Sequence, residues 1–210
     1  SDVCSSDLDR LVAEVRESGD PESERAKQAL QRLTKLGPMA IGPIVEALAT
    51  ANKRETVAFV SALTPLIDNK TFPTLAQALV EENPRAVAGV ALALSNSRNF
   101  SPSLLIDLLG REGVSRPAVV EIINAHRKRF QVRDLLAAAY QQDPSEKAAL
   151  FRIVGDLVDE SSVDDLISRV EGKDPIARTH IIALLSRFDL PKVREALDRK
   201  STRLNSSHRT

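Results

Sequence analysis

The sequence has few of the residues from which many functional sites are built. Its 210 residues include one cysteine, three histidines, one tyrosine, six phenylalanines and no tryptophan. A single cysteine excludes an internal disulfide framework. No stretch approaches the ~18 apolar residues of a membrane-spanning helix. Basic and acidic residues are equal in number at 29 each, so no net charge attracts a polyanion to the chain as a whole.

Patterns typical of catalysis or metal binding are also missing. His126 and His180 each stand alone, without the converging partners that a metal ion requires. No serine–histidine pair lies in a nucleophile elbow, and the eight glycines form no phosphate-binding loop. Acidic pairs such as Asp164-Asp165 lie at helix ends, where capping and solvation explain them. We therefore expect no catalytic residue, no cofactor and no metal ion.

Both ends of the sequence match one DNA element. Residues 1–8 and residues 198–208 can be written in codons as the two strands of a widely used sequencing adaptor. We therefore expect residues 1–8 to be disordered and residues 198–210 to be a tail, neither of them encoded by the natural gene. Residues 9–197 would then be a fragment of a longer chain. That fragment has no cysteine and carries 25 basic and 26 acidic residues, a net charge of −1.

A loose pattern recurs six times between the two ends. Apolar or small residues follow each start position by six or seven and by nine or ten residues, as they do from Ile181 to Leu185. The start positions are 28 to 32 residues apart, and they are Ser23, Lys53, Pro84, Arg116, Pro144 and Pro175. A period in this range is typical of stacked units that are each too small to bury their own apolar face.

The first helix of each unit has recognisable start signals. Asp143-Pro144 and Asp174-Pro175 place a side-chain acceptor at the N-cap and a proline in the first turn. Asn83-Pro84 repeats this signal more weakly. His126 occupies a position that is apolar in other units, so we expect it to be partly buried and hydrogen-bonded.

A second helix follows in each unit after a short polar break. The segment from Ile41 to Leu48 shows its apolar spacing of i, i+3, i+4 and i+7. Pro65 is expected to end or kink its helix, because proline has no N–H and clashes with the preceding turn. No segment alternates convincingly with period two, as a strand would. The sequence therefore predicts an all-α fold, an α-solenoid of about six stacked helix pairs.

Two segments resemble a known family. The segment from Leu36 to Leu48, with Gly37 and Pro43, resembles the second-helix entry of HEAT-like repeats, in particular the short bacterial type related to phycobilin-lyase repeats. Residues 174–178 resemble the start of the inner helix in that family. The resemblance implies HEAT-like repeats over residues 9–197, with parts of an Asp-to-Arg ladder at Asp174/Arg178 and, with lysine, at Asp143/Lys147. It is specific for fold and not for function.

The resemblance also implies where a partner would bind. In that family the first, inner helices line a concave face, and solenoids bind partners on such faces. The positions eight and twelve residues after each start position should then lie on this face, and its C-terminal half is polar and mixed in charge. We predict that a protein-docking groove is lined by Asn124, Lys128, Arg152, Asp156 and Arg187. A merely solvated face remains the alternative.

One local cluster of basic residues stands out. It consists of Arg127, Lys128, Arg129 and Arg133, directly after His126. A solvated helix end is one explanation, because cations are favourable near a helix C-terminus. The other is a docking site for an acidic protein patch or for phosphate. The near-neutral chain and the lack of tryptophan make nucleic-acid binding the weaker possibility.

Three functions follow from these patterns. The first is a non-catalytic scaffold or regulatory module that binds another protein, or another domain of its own chain, and we expect it in the cytoplasm. The second is a bilin-lyase-type enzyme, which only the family resemblance implies. The third is weak nucleic-acid or phosphate binding through the basic cluster at residues 127–133.

Overall fold

The chain folds into helices connected by short turns. A computed structural model describes residues 2–80 and 82–207, and the side chains of residues 5–80 and 82–199. Within these ranges there are thirteen α-helices and no β-strand, so the predicted all-α fold is confirmed. The helices are α1 (Asp2–Glu17), α2 (Glu24–Lys35), α3 (Ile41–Leu48), α4 (Lys53–Leu63), α5 (Phe72–Ala78), α6 (Pro84–Asn96), α7 (Ser103–Leu109), α8 (Arg116–Ala125), α9 (Val132–Tyr140), α10 (Pro144–Leu157), α11 (Val163–Val170), α12 (Pro175–Leu185) and α13 (Pro191–Ser207).

Short 3-10 turns adjoin several of these helices. They span Gly37–Ala40, Thr64–Leu66, Arg127–Arg129 and Glu160–Ser162. Pro65 lies inside the second of them, directly after α4 ends at Leu63. The predicted effect of Pro65 is confirmed, since the α-helical hydrogen-bond pattern stops before it.

Helix starts follow their capping residues. The Asn83 side chain accepts hydrogen bonds from the N–H groups of Arg85 and Ala86, each at 3.0 Å, and the Asp174 side chain caps α12 in the same way. Asp143 differs from the prediction, because its side chain accepts no bond from the first turn of α10. Its ψ of 161° is not the cause, because Ser23 at 154° and Asn52 at 177° both cap their helices. The difference therefore lies in the conformation of the Asp143 side chain.

The chain divides into two compact units, Ser1–His126 and Arg127–Thr210. In the first unit, α2, α4, α6 and α8 each contact the next member of this series, and α1, α3 and α5 do the same. In the second unit, α10 contacts α9 and α12, while α11 contacts α12 and α13. Helices that lie two apart in the sequence are therefore neighbours in both units.

Hydrogen bonds join residues about one sequence period apart. The Asn99 amide donates to the Ile67 carbonyl at 3.2 Å, across 32 residues of sequence. The Arg16 guanidinium donates to the Thr50 hydroxyl at 2.7 Å, across 34 residues. Corresponding positions of successive repeats therefore contact each other, as the period predicts.

The two terminal segments are helical where the structure describes them. Helix α1 begins at Asp2, and Leu8 is buried on the same face as Leu11 and Val15. This differs from the expected disorder of residues 1–8, because the apolar spacing of α1 extends back to Leu8. At the other end, α13 continues to Ser207. The adaptor origin of these segments stays a prediction.

None of the helices in the described part of the chain is long and apolar enough to cross a membrane.

Candidate partner-binding surface

Corresponding positions in and just after the first helices of the repeats are exposed. It consists of the positions eight and twelve residues after each start position, and we call it the stripe. Its members are Gln31, Lys35, Ser61, Pro65, Leu92, Asn96, Asn124, Lys128, Arg152, Asp156, Ala183 and Arg187, and all twelve are exposed. Positions four residues apart share one face of a helix, which explains why both sets are exposed together.

The five residues predicted to bind a partner belong to this stripe. Asn124 lies near the end of α8 in the first unit, whereas the other four lie in the second unit. Arg152 and Asp156 are four residues apart on α10, and both are exposed. Lys128 lies in the 3-10 turn before α9, and Arg187 lies just after α12.

Arg187 connects two helices of the second unit. Its guanidinium Nη1 donates a hydrogen bond of 2.7 Å to the carbonyl oxygen of Gly155 on α10. A Cβ atom at Gly155 would lie 3.1 Å from the other guanidinium nitrogen, so glycine leaves room for this contact. Because Gly155 precedes Asp156, the arginine lies beside the α10 part of the stripe. The sequence did not reveal that Arg187 also holds α12 against α10.

The basic cluster follows the C-terminus of α8. Lys128, Arg129 and Arg133 are exposed, and Arg127 is half-buried. The first three of the four residues form the 3-10 turn Arg127–Arg129, and Arg133 lies in the first turn of α9. Their position next to the end of α8 fits both the solvated helix end and the docking site.

His126 is a core residue, as predicted. Its side chain is 3% exposed, and its Nε2 lies 2.7 Å from the carbonyl oxygen of Leu94. Because a carbonyl can only accept, Nε2 carries the proton in this contact. The ring also packs edge-on against Phe100, with 5.4 Å between the ring centroids. His126 is therefore not part of the exposed basic cluster.

A groove between α2 and α4 was not anticipated from the sequence. It is open to solvent and has a volume of about 690 Å³. Apolar lining comes from Leu30, Val57, Ala58 and Ala62, and charged lining from Glu22, Lys27, Lys35 and Arg54. The signal that could have revealed it is the stripe itself, because Gln31, Lys35 and Ser61 also line the groove.

Two of the residues assigned to the ladder by the resemblance form an ion pair. The Lys147 ammonium group pairs with Asp174, 27 residues further along the chain. Lys147 is buried, and the carboxylate of Asp174 in the next repeat compensates its charge. The hydrogen bond from Lys147, together with those from the N–H groups of Ala177 and Ile176, holds the pKa of Asp174 below its ordinary value.

Comparison with known proteins does not assign the chain to a family. Among the side chains of residues 5–80 and 82–199, no group of three His, Cys, Asp or Glu could hold a metal ion. No known family model matches the chain, and no curated protein matches it. The resemblance to HEAT-like repeats stays a prediction from the sequence.

Proposed function

We propose that this chain is a helical-repeat interaction module, an α-solenoid of HEAT-like helix pairs without catalytic activity. It binds another protein, or another domain of its own chain, through the stripe. The observation that carries this proposal is that all twelve stripe positions, which recur with the sequence period, are exposed. Exposed positions that recur with the structural period are typical of the binding faces of repeat proteins.

The contacts between successive repeats support the solenoid arrangement. Helices two apart in the sequence are neighbours in each unit. Hydrogen bonds such as those between Asn99 and Ile67 and between Arg187 and Gly155 each span 32 residues. A stack in which every unit contacts mainly its neighbours produces such separations.

The second unit supplies the polar groups that protein interfaces use. Arg152 and Asp156 present opposite charges four residues apart, and both side chains are exposed. Arg187 adds a third charged group, whose position is restricted by its bond to Gly155. Arginine is enriched at interface positions that dominate binding, and restricting it in advance lowers the entropy lost on binding.

Site-specific photo-crosslinking tests the proposal. A photoreactive side chain at Arg152 should crosslink a partner in cells, whereas the same group at Asp165, exposed on α11, should not. The double variant Arg152→Glu/Asp156→Lys should abolish capture of that partner while leaving the helical circular dichroism unchanged. Equal crosslinking from Asp165, or capture unaffected by the double variant, would contradict the assignment of the stripe.

The same variants separate this function from nucleic-acid binding. If the basic cluster binds nucleic acid instead, duplex DNA should bind with an affinity that falls steeply with added salt. At a fixed salt concentration, the affinity for DNA should be lower in Arg129→Glu/Arg133→Glu than in the wild type. It should be unchanged in Arg152→Glu/Asp156→Lys.

A further inference from the structure

The groove between α2 and α4 has an apolar centre. Val57 of α4 is 62% exposed, and it lies in the groove with Leu30 of α2 and Ala58. The Thr34 hydroxyl donates to the Ala62 carbonyl at 3.0 Å, which joins the two helices at the groove. The volume of about 690 Å³ lies within the range of ligand-binding clefts.

Three positively charged side chains line the groove. Lys27 and Lys35 both line it from α2, and within the described part of the chain neither forms an ion pair. Arg54 also lines the groove, but Asp20 neutralises it across 2.9 Å. Glu22 is the one acidic residue among those that line the groove. A partner with carboxylates at two points would therefore complement this surface.

The spacing of the two lysines indicates the conformation of such a partner. They are eight residues apart on one helix, which separates their backbones by about 12 Å. In an extended peptide, residues i, i+2 and i+4 point the same way, and i and i+4 are about 13 Å apart. Acidic residues at i and i+4 can thus reach the two lysines, while an apolar side chain at i+2 contacts the apolar centre.

We propose that this groove binds an extended acidic peptide segment in which two carboxylates flank an apolar side chain, each two residues away from it. The inference rests on the proposed function, because the groove occupies the α2–α4 part of the stripe. It adds the chemical class of the partner and the residues that select it: Lys27 and Lys35 for the carboxylates, and Val57 with Leu30 for the apolar side chain.

Synthetic peptides test this directly with the full chain. The probe is an end-capped peptide, Gly-Glu-Ser-Leu-Ser-Glu-Gly, titrated into isotopically labelled protein and followed by amide chemical shifts. One control peptide, Gly-Ser-Glu-Leu-Glu-Ser-Gly, has the same composition but turns its carboxylates away from the leucine. A second control replaces both glutamates of the probe by lysine.

The probe should shift resonances in α2 and α4 and bind more tightly than both controls. The variant Lys27→Glu/Lys35→Glu should weaken this binding by about tenfold or more, since it replaces two attractions by repulsions. The matched variant Lys70→Glu/Arg98→Glu changes the net charge equally at exposed positions of the same unit outside the groove, and it should bind like the wild type. Val57→Gln should also weaken binding while preserving the fold.

Three results would overturn the inference. The first is equal binding of the probe and the rearranged peptide, and the second is chemical-shift changes outside α2 and α4. The third is a wild-type dimer that Lys27→Glu/Lys35→Glu dissociates, because the occupant of the groove would then be a second copy of the chain. Failure of the probe with intact crosslinking at Arg152 would refute the groove alone. Groove binding without crosslinking at Arg152 would instead refute the stripe of the second unit.

Discussion

Asp174 shows how a single residue can serve two structural purposes. One carboxylate oxygen accepts the N–H groups of Ile176 and Ala177, each at 3.0 Å, and so caps α12. The other oxygen pairs with Lys147 on α10, whose side chain is only 7% exposed. The cap is local, whereas the ion pair connects two helices that contact each other in the second unit. A charge change at Asp174 therefore leaves a buried ammonium group without compensation.

Asp174→Asn is expected to destabilise the protein and to change its response to acid. The amide oxygen keeps the cap, so the loss comes from Lys147. We expect about 1–2 kcal/mol at pH 7, less than for a fully buried pair, because Asp174 remains in contact with water. The pKa of Asp174 is lowered below 3.8, so its contribution is complete above that pH and is lost as the pH falls through the lower folded value. Urea denaturation at several pH values should show the two proteins converging at low pH.

Two further variants control this experiment. Lys147→Met/Asp174→Asn should recover part of the loss, because the unpaired ammonium group is then absent. Asp165→Asn removes an exposed carboxyl group of the same unit and should change the stability little. A difference between wild type and Asp174→Asn that persisted unchanged at pH 2 would rule out the ion pair as its cause.

At the scale of the helices, close packing depends on a residue without a side chain. Gly89 lies in α6 and faces α3, where a Cβ atom would come within 2.8 Å of Leu48 Cδ2. Leu48 is completely buried, so its side chain has little room to move away. Glycine is thus required at this position by the approach of two helices and not by its backbone angles.

Gly89→Ala is expected to destabilise the protein by about 1–3 kcal/mol, because overpacking outweighs the better helix propensity of alanine. Gly42→Ala is the matched control, since apart from its chain neighbours and the backbone of its own helix no heavy atom lies within 4 Å of its new Cβ atom. Because Gly42 lies in the first turn of α3 and precedes Pro43, the gain in helix propensity is small, and this variant should cost less than Gly89→Ala. Adding Leu48→Val should reduce the cost of Gly89→Ala. Thermal and urea denaturation measure these changes, and a stabilising Gly89→Ala would show that α3 and α6 can separate without cost.

At the scale of the whole molecule, interactions follow the period of the sequence. In the first unit, α4 contacts α2 and α3 of the repeat before it and α6 of the repeat after it. Asn52 and Asn83 cap α4 and α6 at corresponding places, 31 residues apart in the sequence. If the chain is a solenoid as proposed, removing one whole period should leave equivalent surfaces to pack together.

Deletion of residues 53–83 should therefore produce a shorter protein that still folds. The new junction joins Asn52 to Pro84 and keeps an Asn-Pro helix start. We expect helical circular dichroism in proportion to length and a cooperative thermal transition. Deletion of residues 53–68 removes α4 and the 3-10 turn after it but keeps α5. It should abolish cooperative unfolding, because α2, α3 and α6 each lose a helix that they contact. The solenoid proposal would be wrong if the two deletions behaved alike.

Local signals made much of the fold predictable. The end of α4 before Pro65 and the cap of α12 at Asp174 depend on backbone dihedrals and on hydrogen bonds within a few residues. The burial of His126 was predictable as well, from its place in the period. Asp143 was the exception, because a capping residue type does not determine the side-chain rotamer that brings its carboxyl group to the helix.

The contents of the candidate surface were only partly predictable. The exposed stripe follows from the period, because corresponding positions of similar helices have similar surroundings. The groove does not follow from the period. The sequence spacing of Val57 is compatible with a buried and with an exposed side chain, so it did not indicate that Val57 lines a groove. The bond of Arg187 to Gly155 was not predictable either, because it depends on how α12 packs against α10.

The sequence by itself determined that the chain is all-α, where several helices begin and α4 ends, and which positions recur with the period. Those features depend on interactions between residues close in the chain. Only the tertiary structure decided that Lys147 pairs with Asp174, that Gly89 admits Leu48, and that α2 and α4 leave a groove between them. These contacts depend on the distance and rotation at which separate helices meet, which many side chains set together.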